Sequence, residues 1–345
     1  HTAWSQRPAR PMPVSRARPS QSARHPLHLT LLTSLWLVTL PNLPLWTRLH
    51  ALPEITGLRG LLFGLGLALG VAALTHALLC LLNWRWLLKP VLTLCILSAA
   101  SGAYFMWSYG IVIDANMIVN VAQTDPREAA DLLNWRMLLS LLVLGLLPSW
   151  WLWRQPVREI GWGRRLGGNA LASLASLALL VLSLLLIYQD FASVMRNHTQ
   201  LRYMISPLNS FYAVGRVLAK PLERDTGTVA PIGQDARLAL PPGAAPATVI
   251  VVVGETARAA NFGLNGYARD TTPRLAQLPV ASLRQVWSCG TSTATSLPCM
   301  FSHLGKDAFE NRSSNHESLA DVLQHAGLAV LWVDNQSGCK GICAR

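Results

Sequence analysis

Five apolar segments occupy the first half of the chain, and short polar loops separate them. Most have the roughly 17–25 residues that a helix needs to cross a bilayer. Any one of them could instead be a buried helix of a soluble core, but five in succession favour membrane spans. The predicted spans are 29–46, 58–82, 86–109, 137–153 and 170–188.

Prolines and glycines modify two of these segments. Pro41 and Pro44 interrupt the first one near its outer end, because proline lacks the N–H group that continues a helix. The second contains Gly64, Gly66 and Gly70, which suit close packing against another helix.

The pattern changes to strand and helix in the last hundred residues. Residues 248–253 are a β-branched run without polar alternation, which predicts a parallel strand buried on both faces. An amphipathic helix over 315–326, closed by Gly327, leads to a second buried strand at 328–333. The order strand, helices, strand predicts a doubly wound α/β domain.

The end of the first predicted strand and a later hydroxyl cluster are candidates for chemistry. Glu255 follows Gly254 directly, at the carboxyl edge where such sheets carry their sites. Residues 288–299 hold several Ser and Thr between two cysteines, before a helix-like segment. A hydroxyl at a helix N-terminus can attack phosphorus if a base or metal activates it. On spacing alone, an ordinary Ser/Thr-rich loop is the simpler interpretation.

Composition supports a membrane protein. The chain is 51% hydrophobic and only 13% charged, with a net charge of +12. The basic residues do not alternate with aromatic ones in the polar part, so nucleic-acid binding is disfavoured and anionic lipid is favoured. Basic residues concentrate in the N-terminal tail and in the loops near Arg85 and Arg158, which predicts that these lie inside. Five spans then place everything after Asp190 outside, which in a Gram-negative cell is the periplasm.

Two blocks of sequence resemble a known family. VVVGETARAANFGLNGY at 251–267 and SCGTSTATSLPCMFS at 288–302 are similar to the lipid A phosphoethanolamine transferases, which include the mobile colistin-resistance enzymes. The resemblance implies that Glu255 is a zinc ligand and that Thr293 is the zinc-bound nucleophile that carries phosphoethanolamine. It also implies that the other zinc ligands lie beyond residue 345, so we expect this chain alone to bind zinc poorly and to be inactive.

The resemblance extends to two further groups of residues. Asn120, Thr124 and Glu128 correspond to a proposed site for the phosphoethanolamine lipid. Their spacing of four puts them on one face if the loop is helical, although Pro126 argues against an unbroken helix. Ser337 and Lys340 correspond to residues that approach the phosphoethanolamine group. Without the resemblance, the first group is equally a solvated polar face, and Lys340 an ordinary loop lysine.

Six cysteines divide by position. Cys80 and Cys95 lie in predicted spans and are expected to be free. An even number in the oxidising outer compartment predicts two disulfides, Cys289–Cys299 around Thr293 and Cys339–Cys343. A four-cysteine zinc site is the alternative, although the gap between Cys339 and Cys343 is longer than usual for one.

Together these features predict a multi-span α-helical membrane domain joined to an α/β periplasmic domain of the alkaline-phosphatase and sulfatase type, incomplete here. The predicted parts are a basic disordered tail (1–28), a five-helix membrane domain (29–190) with a periplasmic loop (110–136), interfacial helices and linker (191–247), and the first part of the catalytic domain (248–345).

The function that the resemblance implies is transfer of phosphoethanolamine from phosphatidylethanolamine to a phosphate of lipid A in the inner membrane. Such masking of negative charge weakens the attraction of cationic peptides such as colistin. The alternatives are transfer of another phosphoalcohol, transfer to another glycan, or a non-catalytic membrane sensor. A transporter is disfavoured because the spans contain few charged residues.

Overall fold

The computed structural model describes residues 23–345 except 125–129, 131, 220–228, 245–247, 255–256, 335–337 and 344–345. The chain forms two compact units. The first consists of His1–Ile113 and Asn134–Tyr212, and the second of Asp114–Leu133 and Ala213–Arg345.

Helices dominate the described residues. In chain order they are α1 (Pro26–Val38), α2 (Leu43–His50), α3 (Gly57–Leu81), α4 (Leu88–Tyr109), α5 (Ala115–Gln123), α6 (Trp135–Ser140), α7 (Leu147–Arg154), α8 (Trp162–Leu186), α9 (Tyr188–Asn197), α10 (Gln200–Tyr203), α11 (Leu208–Ala219), α12 (Thr293–Met300), α13 (Lys306–Glu310) and α14 (Leu319–His325). Short 3₁₀ segments, a π-helical segment at Leu141–Leu146 and two short strands, β1 (Val229–Ala230) and β2 (Asn315–His316), complete the regular structure of these residues.

Five helical stretches of the first unit are long and apolar enough to cross a membrane, as the sequence predicted. They are Pro26–His50, Gly57–Leu81, Leu88–Tyr109, Trp135–Arg154 and Trp162–Leu186. Their outer faces carry exposed leucines, including Leu171, Leu174 and Leu185 of α8. A row of exposed leucines is unfavourable in water and favourable against lipid tails.

The first stretch breaks where the two prolines lie. Helix α1 ends at Val38, a 3₁₀ segment follows at Leu40–Asn42, and α2 resumes the helix. The buried Asn42 side chain bonds with a carbonyl of the last turn of α1 and with the backbone of Ser206. Its Nδ2 donates to the carbonyls of Leu37 (2.7 Å) and Ser206 (2.6 Å), and its Oδ1 accepts from the Ser206 N–H (2.9 Å).

The second and fifth spans pack closely, as the glycine pattern predicted. A Cβ built on Gly66 would lie 2.5 Å from Cγ2 of Ile187, and one on Gly70 would lie 3.0 Å from Oγ of Ser183. Gly64 faces elsewhere, with only Leu49 at 4.0 Å.

Two buried asparagines add polar bonds between the same two spans. Nδ2 of Asn83 donates to Oδ1 of Asn169 (2.9 Å), and Nδ2 of Asn169 donates to the Asn83 carbonyl (3.1 Å). Cross-helix amide bonds of this kind hold helices together where no water competes for them.

The two buried strands predicted in the second unit are not formed. Residues 248–253 and 328–333 have no strand partner within the described part of the chain, and Val252 is 86% exposed. Val330 and Trp332 are partly buried while Leu331 and Val333 are exposed, so the second segment buries one face only. A β-branched run becomes a strand only where neighbouring strands take up its N–H and C=O groups.

The stretch predicted as a linker instead contributes to the second unit. β1 pairs in parallel with β2, with Val229 opposite Asn315 and Ala230 opposite His316. A Cβ on Gly233 would lie 2.9 Å from Cγ1 of Val322 in α14, so this segment packs directly on the helix.

Candidate active site

Thr293 is the first residue of α12 and is half-buried. Ser292 precedes it with extended backbone angles, as a residue before a helix does, and its hydroxyl donates to Oγ1 of Thr295 (3.1 Å). The N–H groups of a first helical turn have no carbonyl one turn earlier, so they favour an anion nearby. The hydroxyl cluster of the sequence therefore does begin a helix, with Thr293 at its N-terminus.

Both predicted disulfides are formed. Cys289–Cys299 joins the segment before α12 to its last turn, with the Cα atoms 6.4 Å apart. Cys339–Cys343 closes the loop that contains Lys340, with the Cα atoms 5.8 Å apart. Cys80 and Cys95 are free and buried, as predicted.

A small apolar core fixes α12 against the Lys340 loop. Leu297 of α12, Ala320 of α14 and Ile342 of the loop are buried together, and Phe301 and Trp332 pack against them. The loop therefore lies against the same helix whose first residue is Thr293.

Lys340 has an unusual backbone conformation. Its φ is +48°, in the left-handed region that β-carbon-bearing residues rarely adopt, and its neighbours Gly338 and Gly341 are also left-handed. The short disulfide-closed loop forces this turn and thereby fixes the direction in which Lys340 leaves the backbone.

A cavity of about 450 Å³ lies among these elements. Ala294 and Pro298 of α12 line one side, and Lys340 and Ile342 line another. The remaining lining residues come from β1, from the segment after α12 and from β2 and its surroundings: Val229, Phe301, Ser302, Phe309, Arg312, Asn315, His316, Glu317, Ser318 and Gly341. Thr293 directly precedes Ala294, which is a lining residue.

Arg312 and His316 line the cavity and were not singled out from the sequence. The Arg312 guanidinium lies 3.8 Å from the Phe309 ring centre, and its Nη1 donates to the Phe309 carbonyl (2.6 Å). His316 lies ring against ring with His303 at 5.0 Å, and its buried Nδ1 has no hydrogen-bond partner within the described residues. Neither residue belongs to a recognisable motif, so only the folded chain reveals them.

Glu317 joins the former linker to α14. Its Oε2 accepts from the Ile232 N–H (3.0 Å) and lies 2.9 Å from Nε2 of His325. The His325 contact and, second, the Ile232 bond lower the pKa of this carboxyl from its ordinary value of 4.5. The cavity therefore has a carboxylate at its wall that stays ionised at neutral pH.

Asn120 lies in α5, and Thr124 is the residue directly after this helix, with extended backbone angles. Asp114 caps α5 by accepting from the Met117 N–H (2.8 Å), and the Thr124 hydroxyl donates to the Asn120 carbonyl (2.7 Å). The cavity lining, as far as the structure describes it, contains Lys340 but neither of these two residues.

Glu255, Glu128 and Ser337 lie outside the described residues. Within the described ranges, no three His, Cys, Asp or Glu side chains come together as a potential metal site.

Comparison with protein families matches both parts of the chain. Residues 71–222 match the model for phosphoethanolamine transferase EptA/EptB, and residues 247–345 match the sulfatase model. Phosphatidylethanolamine transferase Mcr-2 of Escherichia coli is 35% identical over 323 residues, which are 92% of this chain and 60% of that protein. Phosphoethanolamine transferase EptA of E. coli K12 is 37% identical over 86% of the chain and 55% of its own length.

A solved structure has the same architecture. The integral membrane lipooligosaccharide phosphoethanolamine transferase A (EptA) of Neisseria meningitidis superposes with a TM-score of 0.85 at 30% identity, over 92% of this chain and 60% of that one. The chain thus spans little more than half the length of its relatives. With a helical membrane part and a sulfatase-type part in the same order, it belongs to the phosphoethanolamine transferase family.

Proposed function

We propose that the protein transfers phosphoethanolamine from phosphatidylethanolamine to a phosphate of lipid A, with Thr293 as the nucleophile. The observation that carries the proposal is the position of Thr293. It is the first residue of α12, in the part that matches the sulfatase model, and it directly precedes Ala294, which lines a cavity together with Arg312 and Lys340. Membership of the family supports phosphoethanolamine as the group that is transferred.

The reaction takes place in two displacements at phosphorus. In the first, Oγ1 of Thr293 forms a bond to phosphorus as the bond to the diacylglycerol oxygen breaks, and the hydroxyl proton leaves with diacylglycerol. In the second, a protonated oxygen of the lipid A phosphate attacks the same phosphorus, the bond from phosphorus to Oγ1 of Thr293 breaks, and the proton of the attacking oxygen passes to Oγ1. Each transition state spreads negative charge over the phosphoryl oxygens, which the α12 N-terminus stabilises.

The cations of the cavity wall assist by charge. Lys340 is a point charge that its left-handed loop directs, and such a group stabilises a transferring phosphoryl group. Arg312 is held by the Phe309 carbonyl and, at 3.3 Å, by Oδ1 of Asn315, so it is already oriented before substrate arrives. Preorganised donors of this kind cost no rearrangement during the reaction.

We propose that Glu255 and Thr293 are ligands of a zinc ion. A bound zinc ion would lower the pKa of a ligated hydroxyl and so make it a stronger nucleophile. A tetrahedral site needs more ligands than these two. The described residues do not gather further ones.

Membership of the family supports the proposed donor lipid and the proposed membrane location. We propose that Asn120, Thr124 and Glu128 contact the phosphatidylethanolamine headgroup and that Ser337 and Lys340 act on the phosphoethanolamine group. We also propose that the protein lies in the inner membrane, with the residues after Asp190 in the periplasm. Modified lipid A would carry less negative charge, and this would lower its attraction for colistin.

The covalent intermediate provides the experiment. The full-length protein is incubated with phosphatidylethanolamine, acid-quenched and digested under reducing conditions, and the α12 peptide is weighed by mass spectrometry. We expect a phosphoethanolamine adduct on Thr293 that is absent from Thr293→Ala and retained in Thr295→Ala. An adduct on another residue, or continued turnover by Thr293→Ala, would contradict the assignment.

A further inference from the structure

A second polar cavity, of about 730 Å³, lies in the first unit, far in sequence from the candidate active site. The loop between the second and third spans supplies Trp84 and Arg85, and the loop between the fourth and fifth supplies residues 155–161. Two loops separated by two spans are on the same side of the membrane. The cavity therefore opens at one membrane surface.

Four basic side chains and one acid line this cavity. Arg85, Lys89, Arg158 and Arg165 are the basic ones, and Glu159 is the acid. Glu159 is paired with Arg85, with 2.6 Å between Oε1 and Nη2, and both are exposed. The lining therefore keeps a positive excess that the described residues do not neutralise.

Arg165 is the feature of this cavity that requires explanation. It is only 8% exposed, and its buried Nε has no hydrogen-bond partner within the described part of the chain. A buried unpaired guanidinium N–H is costly, because it has lost water without gaining an acceptor. Its neighbour Arg164, one residue earlier in α8, is exposed. The fold thus turns one of two adjacent arginines inward to the cavity wall and leaves its Nε without an acceptor among the described residues.

Hydrogen bonds hold the Lys89 side chain in place at this cavity. Its Nζ donates to the carbonyls of Trp153 and Gln155, both at 2.9 Å, at the end of α7. The loop itself is tied down, because the Arg24 N–H donates to the Pro156 carbonyl (2.8 Å) and the Arg158 N–H to the Arg24 carbonyl (3.0 Å). The cavity wall is therefore built by long-range bonds.

Tryptophans indicate that the ligand is a lipid headgroup. Trp86 is 82% exposed and Trp162 is 79% exposed, both lining the cavity, and the Trp84 and Trp162 ring centres lie 5.2 Å apart. Exposed indoles beside spans are typical of the membrane–water interface, where they lie among headgroups. A soluble anion would not need this aromatic border.

We propose that this cavity binds the phosphate of an anionic phospholipid, with the Arg165 guanidinium as the buried donor and Arg158 and Lys89 adding charge. Arginine suits the role because its planar fork donates to two phosphate oxygens at once. The lipid would lock the fourth and fifth spans to the second and third. This proposal does not depend on the transfer reaction.

Native mass spectrometry of the full-length protein in detergent tests it, with phosphatidylglycerol as the probe and phosphatidylcholine as the neutral lipid. We expect phosphatidylglycerol adducts on the parent protein and on Arg164→Gln. In Arg165→Gln, binding should weaken about tenfold or more, the loss expected for one charge-assisted hydrogen bond. Should Arg165→Gln fail to fold, the exposed Arg158→Gln carries the test and is expected to weaken binding in the same direction.

Two results would overturn the proposal. Equal phosphatidylglycerol binding by all variants, or equal binding of both lipids by the parent protein, would show that the cavity does not select an anionic headgroup. Displacement of phosphatidylglycerol by millimolar inorganic phosphate would show that the ligand is the free anion and not the lipid.

Discussion

Lys340 combines a strained backbone with a charge that faces the candidate site. The left-handed conformation costs a residue with a β-carbon roughly 1–2 kcal/mol of folding free energy, whereas glycine adopts it without this cost. We therefore expect Lys340→Gly to raise the thermal stability of the protein slightly while lowering the transfer rate about tenfold or more, as loss of a phosphoryl-stabilising charge does. Lys306→Gly, on the exposed first residue of α13, is the control for lost charge alone. An unchanged rate in Lys340→Gly would remove this residue from the mechanism.

Glu317 makes the stability of the second unit depend on pH. Its pKa is lowered in the folded state, so its carboxylate stabilises the fold above pH 4.5, and that contribution is lost as the pH falls through the lower folded value. We expect Glu317→Gln to melt at a lower temperature than the parent at pH 7, with the difference shrinking below pH 4.5. A difference that stays constant down to pH 3 would show that the contacts with His325 and Ile232 do not depend on this charge.

At this scale, the sequence was informative where a residue belongs to a motif. The hydroxyl cluster before a helix followed from the local pattern, and the resemblance singled out Thr293 within it. The two cysteine pairs followed from the even number of cysteines in the part predicted to lie outside. Arg312 and His316 did not, because their neighbours in the cavity come from β1, α12 and the Lys340 loop, which are far apart in sequence. The roles of Glu255, Glu128 and Ser337 remain proposals.

Among the helices, the packing of the second span on the fifth is the most specific interaction. Gly66→Ala would force a methyl group to 2.5 Å from Cγ2 of Ile187, so we expect a loss of about 1–3 kcal/mol and a lower yield of folded protein. Gly64→Ala is the matched control, since the added methyl meets only Leu49 at 4.0 Å. Size-exclusion profiles and melting curves in detergent measure both. Equal behaviour of the two variants would mean that the spans are not packed as described.

Helices were predictable from sequence and the strands were not, for a physical reason. A helix satisfies its own backbone, so a long apolar run is sufficient to predict one, and all five spans follow that rule. A strand depends on partners elsewhere in the chain. Residues 248–253 have the composition of a buried strand, yet they are exposed and unpaired in the described structure, while the unremarkable Val229–Ala230 does pair.

For the whole molecule, the apolar first part predicted a membrane domain and the polar last part predicted an α/β domain. The resemblance assigned both to the phosphoethanolamine transferases. The comparisons confirm both, with a phosphoethanolamine transferase match over 71–222 and a sulfatase match over 247–345. The sequence does not identify the molecule that accepts the phosphoethanolamine group. Nothing in the local pattern around Thr293 distinguishes lipid A from another phosphorylated glycan, because phosphorus chemistry at the threonine is the same for both.

Lipid A from a Gram-negative host therefore offers the decisive comparison. Mass spectrometry would compare cells that express the full reading frame, the same frame with Thr293→Ala, and residues 1–345 alone. We predict a phosphoethanolamine addition to lipid A with the full frame and none with Thr293→Ala. The same addition with Thr293→Ala, or no addition to lipid A with the full frame although the protein is present in the membrane, would contradict the account.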